Sequence, residues 1–130
     1  MSYIDGFVLP IPKKNVERYR EMAAEAGKFW MRLGALQYIE TILDDDLAGA
    51  APQGDGPSET CGVPFTKAFN VKPDETVAFS YIVYKSREHR DEVNKKIMAD
   101  KDLMDFASKY ANVFDEKRMA YSGFKPIVEL

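Results

Sequence analysis

The sequence contains one cysteine, one histidine and one tryptophan in 130 residues. With Cys61 as the only thiol, no disulfide can form within the chain, and a lone thiol fits the reducing cytoplasm. With His89 as the only imidazole, no cluster of histidines and cysteines has metal-ligand spacing. A glycine-rich phosphate loop and a nucleophile elbow are also missing. We therefore expect no bound cofactor and no nucleotide-dependent chemistry.

Excess positive charge and long apolar runs are missing as well. The formal net charge is −3 and no basic run stands out, which argues against binding nucleic acid through phosphate contacts. The longest apolar run is far short of the roughly 20 residues that a membrane-spanning helix needs. The N-terminal sequence shows no charged leader followed by an apolar region. These features predict a cytoplasmic protein with no nucleic-acid or membrane partner.

The residues that are present predict four strands. In residues 76–84 the side chains alternate and both faces are largely apolar, which is typical of a central strand covered on both sides. The other predicted strands are residues 3–9, 35–43 and 118–124. We expect Pro10 and Pro12 to end the first strand after Leu9, because proline has no N–H to donate to a neighbouring strand.

Apolar residues at spacings of three and four predict helices between these strands. The helical segments are residues 14–33, 86–100 and 103–110, with Asn15 as the expected N-terminal cap of the first and Gly34 as its stop. The order of elements predicts an α+β, ferredoxin-like βαββαβ fold in one domain spanning residues 1–130. Its four-stranded antiparallel sheet would carry the helices on one face.

The two longer helices, residues 14–33 and 86–100, can cover only one face of such a sheet. The other face would expose large apolar side chains, which monomers rarely tolerate over more than a few hundred Å². We therefore expect a homodimer in which the open sheet faces of two copies pack together.

The segment of residues 44–64 is rich in glycine, proline, alanine and serine, and predicts a long surface loop. Its first residues, Asp44 to Asp46, lack the alternating ligand spacing of a calcium loop and are interpreted as solvated. Cys61 has no nearby cation in sequence, so we expect no special reactivity. Residues 65–69 predict a short turn that returns the chain to the core.

Several segments of the chain resemble the domain-of-unknown-function family 1428. They are residues 1–8, 75–83, 98–100, 117–119 and 123–128, together with Ser86, Arg90 and Asp91. The resemblance covers nearly the whole chain, except that residues 47–64 are longer and richer in glycine, alanine and proline than the family pattern. It implies a small bacterial protein of the dimeric α/β-barrel superfamily. The family brings no established activity and no established catalytic residues.

Three polar residues interrupt strands that are otherwise mostly apolar, namely Asp5, Glu40 and Ser80. A buried carboxylate needs a partner or a raised pKa. Arg90 and Arg118 are candidate partners by position. A structural salt bridge and a ligand site both fit this pattern. His89, which follows the start of a helix, is interpreted as an exposed surface histidine.

Two functions remain open from the sequence. The superfamily resemblance implies that a small organic molecule is bound or turned over in a cleft between sheet and helices, since several relatives are monooxygenases or isomerases. The candidate catalytic residues are Glu40, Ser80, Tyr81 and Arg90, with Glu40 as acid/base and Arg90 as a clamp for an anion. The alternative is a non-catalytic dimer that binds a small ligand or another protein.

Overall fold

A computed structural model describes residues 1–46 and 62–130. Its elements in chain order are β1 (Tyr3–Pro12), α1 (Val16–Arg32), β2 (Gln37–Ile42), α2 (Phe65–Ala68), β3 (Glu75–Tyr84), α3 (Arg87–Ala99), α4 (Leu103–Lys109) and β4 (Ala120–Phe124). Short 3-10 turns precede α1 and β4. Most of the predicted loop of residues 44–64, including Cys61, lies outside the described residues.

The four strands form one antiparallel sheet with the order β2-β3-β1-β4. The central strands β1 and β3 pair along their whole length, from Tyr3 opposite Tyr84 to Pro12 opposite Glu75. The predicted α+β, ferredoxin-like architecture, with residues 76–84 in a central strand, is therefore confirmed.

The prediction that Pro10 ends β1 is wrong. The strand continues through Pro10, which lies opposite Val77, to Pro12. The edge strand β4 accompanies β1 only from Ile4 to Val8, so the last part of β1 has no strand on that side. Proline is tolerated there because its missing N–H removes no bond to a neighbouring strand.

The structure also differs from the prediction that the Asn15 side chain caps α1. Asn15 precedes α1, but its side chain makes no capping hydrogen bond. Its Nδ2 instead donates to the carbonyl of Val113, 2.9 Å away, and so fastens the start of α1 to the segment before β4. Gly34 follows α1 with a φ of 125°, a backbone conformation that favours glycine, as its predicted role requires.

The helices α1, α3 and α4 pack on one face of the sheet, which we call the helix face. One core cluster joins Tyr19 and Ala23 of α1 to Leu9 and Ala78 of the central strands. In a second cluster, Val93 of α3 packs with residues of β3. These two clusters hold α1 and α3 on the sheet and leave a space between α1, α4 and the strands.

The opposite side of the sheet, which we call the open face, carries Ile4 and Val8 of β1 and Val77, Phe79 and Tyr81 of β3. The short helix α2 covers part of this face, because Phe65 lies edge-on to Phe79 with ring centroids 6.3 Å apart. Phe79 nevertheless remains 43% exposed. The small helix therefore departs from the expectation that all helices lie on one face, and it leaves apolar surface uncovered. Across residues 1–46 and 62–130, no helix has the length and apolar character needed to cross a membrane.

Candidate functional site

Glu40 lies between α1 and the sheet and is held by hydroxyl groups. The strand register places it opposite Ser80 of β3, so the two side chains share the helix face. Oε2 of Glu40 accepts a hydrogen bond of 2.6 Å from the Tyr19 hydroxyl, and Oε1 accepts one of 2.9 Å from the Tyr38 hydroxyl. We call Tyr19, Tyr38 and Glu40 the Glu40 cluster.

Burial changes the acidity of all three members of the Glu40 cluster. Desolvation raises the pKa of Glu40, and it outweighs the hydrogen bonds from Tyr19, Tyr38 and Ser80, which lower this pKa. Burial and the nearby Glu40 carboxyl raise the pKa of both tyrosines. Both phenols therefore stay protonated donors, and Glu40 is the member of the cluster whose carboxyl group keeps its proton to a higher pH than an ordinary glutamate.

The Glu40 cluster forms part of the wall of a cavity of about 420 Å³, which we call the interior cavity. The cavity lies between the helix face, α1 and α4. Much of its wall is apolar, including Phe7, Leu9, Met22, Ala26, Trp30, Ile82, Leu103, Met104, Phe106, Ala107, Phe114 and Met119. An apolar space of this size with a few convergent polar groups is typical of a site for a small organic molecule.

The structure separates two of the four predicted catalytic residues from Glu40. Ser80 lies beside Glu40 and is 5% exposed. Tyr81 borders the interior cavity, but alternation along β3 and a centroid distance of 6.1 Å to Phe79 place its ring on the open face. Only Glu40 and Ser80 thus come together on the helix face.

Arg90, the predicted anion clamp, lies on α3 and does not line the interior cavity. Its guanidinium contacts Asp5 at 2.5 Å and Asp91 at 2.8 Å, and it stacks over the Tyr3 ring at 4.9 Å. Burial raises the pKa of Asp5 more than the Arg90 guanidinium lowers it. Because two carboxylates already engage Arg90, its geometry is that of a structural ion pair.

Arg118 was the second candidate partner for a buried carboxylate, and its position was predicted in the last strand. It lies instead in the 3-10 turn before β4 and pairs with Glu75 at 2.6 Å. Glu40 therefore contacts neither of the two arginines that the sequence offered as partners for a buried carboxylate, and its partners are tyrosines.

Sequence reasoning missed Tyr19 and Tyr38 as partners of Glu40. The signal for Tyr38 was available, because residues two apart on a strand share a face. No comparable signal existed for Tyr19, which sits within the apolar stripe of α1 and reaches Glu40 only through the packing of α1 on β2.

His89 differs from the exposed side chain that the sequence predicted. It is half-buried, and its Nδ1 accepts a hydrogen bond of 3.0 Å from the backbone N–H of Lys85. Within the described residues, no group of three or more histidine, cysteine, aspartate or glutamate side chains is placed to hold a metal ion.

Gly27 of α1 makes room for Tyr38. A Cβ atom at this position would lie 2.9 Å from the Tyr38 ring, closer than carbon atoms can approach without movement. Gly27→Ala is therefore expected to lower the free energy of unfolding by about 1–2 kcal/mol, since it displaces a packed ring. In a helix interior this substitution ordinarily stabilises by about 1 kcal/mol, so the expected sign is reversed.

Urea unfolding of the Gly27→Ala variant tests this prediction. In a Tyr38→Ala background, where the ring is absent, the same substitution should regain its ordinary stabilising effect. A Gly27→Ala variant more stable than the wild type would contradict the described contact.

Comparison with known proteins shows what this chain is similar to. A family described as a protein of unknown function (DUF1428) matches residues 2–116. The uncharacterized protein YbaA of Escherichia coli K12 is 36% identical over 129 residues, which cover 99% of each chain, and the YbaA protein of Shigella flexneri matches to the same extent.

Solved structures share the fold at low sequence identity. A dimeric ferredoxin-like protein from an uncultured marine organism has a TM-score of 0.57 at 11% identity and covers 100% of both chains. A NIPSNAP family protein from Agrobacterium tumefaciens has a TM-score of 0.55 at 10% identity, covering 96% of this chain and 85% of its own. These likenesses support the ferredoxin-like fold alone, whereas the match over residues 2–116 and the 36% identity are specific: the chain belongs to the DUF1428 family of proteins of unknown function.

Proposed function

We propose that this protein binds or turns over a small organic molecule in the interior cavity, with Glu40 as the acid/base and without a tightly bound cofactor. The observation that carries the proposal is a buried carboxyl group with a raised pKa in the wall of a cavity of about 420 Å³. Such a group can give a proton to a ligand or take one from it, which is the role of a general acid or base. Ser80 lies beside it as a second polar contact.

The roles proposed for the other polar residues follow from their contacts. Tyr19 and Tyr38 donate to Glu40 and are positioning residues for its carboxyl group. Arg90 is engaged by Asp5 and Asp91, and the ring of Tyr81 lies on the open face. Neither Arg90 nor Tyr81 therefore has a role in the proposed reaction.

A thermal-shift screen against a metabolite library tests for binding in the interior cavity, because a ligand of the native state raises the melting temperature. Ala107 lines the cavity and is exposed, so Ala107→Phe can place a ring in its mouth. Ala111, also exposed but outside the cavity lining, provides the matched control Ala111→Phe. We expect some metabolites to raise the melting temperature of the wild type and of the Ala111→Phe control, but not that of Ala107→Phe. Metabolites that still raise the melting temperature of Ala107→Phe would bind elsewhere.

A non-catalytic ligand binder is the second candidate function. Both oxygens of Glu40 already accept hydrogen bonds from tyrosines, which suits a carboxyl group that fixes structure. Binding and turnover of a screened ligand by the Glu40→Gln variant distinguish the two functions. An enzyme should keep binding and lose turnover in this variant, whereas a binder shows no turnover with either protein.

We further propose that the protein acts in the cytoplasm as a single-domain homodimer that pairs through the open face. Phe79 is 43% exposed there, and Phe124 of the edge strand β4 is 57% exposed. Packing two open faces together would bury these side chains. The structural likeness to a dimeric ferredoxin-like protein is consistent with this assembly.

Phe79→Glu is expected to convert the dimer into a monomer, because it places a charge at the centre of an apolar interface. Sedimentation velocity at micromolar concentration measures the outcome. Met98 on α3 is 74% exposed and lies on the other side of the sheet, so Met98→Glu is the matched control and should remain dimeric. A wild-type protein that sediments as a monomer would contradict the proposed assembly.

A further inference from the structure

A second cavity lies between α1 and the edge strand β2, and we call it the α1–β2 groove. Its volume is about 570 Å³, and it shares the three residues of the Glu40 cluster with the interior cavity. The side chains that α1 contributes at Ala23, Ala24 and Gly27 are small, which leaves room between helix and strand. Met31 and Ile42 add apolar surface to the lining.

The charged side chains of the α1–β2 groove are mainly positive. Arg20 and Lys28 of α1 line it, whereas the carboxyl group in its wall, Glu40, is buried. Arg20 contacts Glu17 at 3.2 Å, but both side chains are more than two-thirds exposed at 71% and 80%, and such surface pairs are weak. This positive site stands out on a chain with a net charge of −3.

The acidic side chain nearest in sequence to Lys28 on α1 is engaged elsewhere. Glu25 does not line the groove and contacts Lys109 at 2.6 Å. The two cations of the groove are therefore available to an anion that enters with an apolar body.

We propose that the α1–β2 groove binds an amphipathic organic acid. Arg20 and Lys28 attract its carboxylate, and its apolar part lies along Ala23, Gly27 and Met31. Charge complementarity selects the acid end, and the small residues of α1 select a slender body. The groove shares the Glu40 cluster with the interior cavity, but Arg20 and Lys28 line the groove and not that cavity, so the inference does not depend on the function proposed there.

Methionine methyl NMR can distinguish the two cavities. Met31 lines the groove, whereas Met22, Met104 and Met119 line the interior cavity. Titration with octanoate is expected to shift the Met31 methyl resonance. Its affinity should fall when sodium chloride is raised from about 20 to about 200 mM, since salt screens exposed charges. The uncharged analogue 1-octanol should bind more weakly and without this salt dependence.

The variant Arg20→Gln/Lys28→Gln should weaken octanoate binding by about five- to tenfold, as expected for the loss of two exposed charge contacts. It should leave 1-octanol binding unchanged. The matched control Lys95→Gln/Lys96→Gln removes the same charge from exposed positions on α3 and should bind octanoate like the wild type.

Three outcomes would overturn the inference. The first is octanoate affinity that is equal in the wild type and in Arg20→Gln/Lys28→Gln. The second is shifts confined to Met22, Met104 and Met119, which would support the interior cavity and not the groove. The third is a Met31 methyl chemical shift that changes with protein concentration and does not change when octanoate is added. That result would show that a second copy of the chain fills the groove.

Discussion

Arg90→Ala is expected to lower the free energy of unfolding by about 3–5 kcal/mol at pH 8, the range measured when one partner of a buried ion pair is removed. Arg90 contacts Asp5 at 2.5 Å, with the two side chains 18% and 9% exposed. Without the guanidinium, the Asp5 carboxylate would be left buried and uncompensated. The variant also loses the stacking of Arg90 over Tyr3.

The loss caused by Arg90→Ala should become smaller as the pH falls toward 5. Burial already raises the pKa of Asp5 above its ordinary value of 3.8, and removal of Arg90 raises it further. For a carboxyl group with a raised folded-state pKa, stability is greatest below the unfolded-state pKa and is lost as the pH rises through the folded-state pKa. The variant therefore loses more stability than the wild type on going from pH 5 to pH 8.

Urea unfolding at both pH values measures the effect of Arg90→Ala. Arg87→Ala, at an exposed position on the same helix, is the matched control and should change stability by less than about 0.5 kcal/mol. Adding Asp5→Asn to Arg90→Ala should restore part of the loss, because no charge is then left buried. A loss that is the same at pH 5 and pH 8 would contradict the raised pKa of Asp5 in the variant.

Glu40→Ala is expected to lower the free energy of unfolding by about 2–4 kcal/mol, because two buried hydroxyls lose their acceptor at roughly 1–3 kcal/mol each. The affected donors are Tyr19 and Tyr38, both of which bind the Glu40 carboxyl group. Glu40→Gln keeps an acceptor oxygen at the same place and is the matched variant. It should be much less destabilising than Glu40→Ala.

The comparison of Glu40→Gln with the wild type also has an expected pH dependence. Burial raises the folded-state pKa of Glu40 above its ordinary value of 4.5. In the wild type, the protonated Glu40 carboxyl group contributes its full stabilisation below the unfolded-state pKa of about 4.5. This contribution is lost as the pH rises through the raised folded-state pKa. Glutamine does not titrate, so Glu40→Gln should gain stability relative to the wild type between pH 4.5 and pH 8. Parallel stability curves in urea across this range would contradict the raised pKa.

The fold was predictable because its signals are local. The alternation in residues 76–84 predicted the central strand, and the three- and four-residue spacing in residues 14–33 predicted α1. Pro10 was misjudged because proline is excluded from a strand only where a neighbour needs its N–H, and β4 does not reach that far. Which neighbour flanks a residue is a property of the assembled sheet, and the sequence of one strand does not contain it.

The site was only partly predictable, because several of its contacts join elements that are far apart in the sequence. Glu40 and Ser80 stood out as polar residues in apolar strands, and the register brings them together. Arg90 was correctly chosen as a partner for a buried carboxylate, and the structure shows that this carboxylate is Asp5, one of the two candidates. Tyr19 lies on α1 and Glu40 on β2, so their contact depends on how the helix packs against the strand. The spacing of apolar residues within one element does not determine that packing.

A carbon-13 NMR titration of the Glu40 side-chain carboxyl, assigned with Glu40→Gln, tests the central claim most directly. It is recorded on the free protein and on the protein with a hit from the thermal-shift screen. The account predicts a pKa above the ordinary value of 4.5 in the free protein, and a change in this pKa when the ligand binds. A Glu40 that titrates at its ordinary value, unchanged by a bound ligand, would contradict the claim that this carboxyl group is the acid/base of a ligand site.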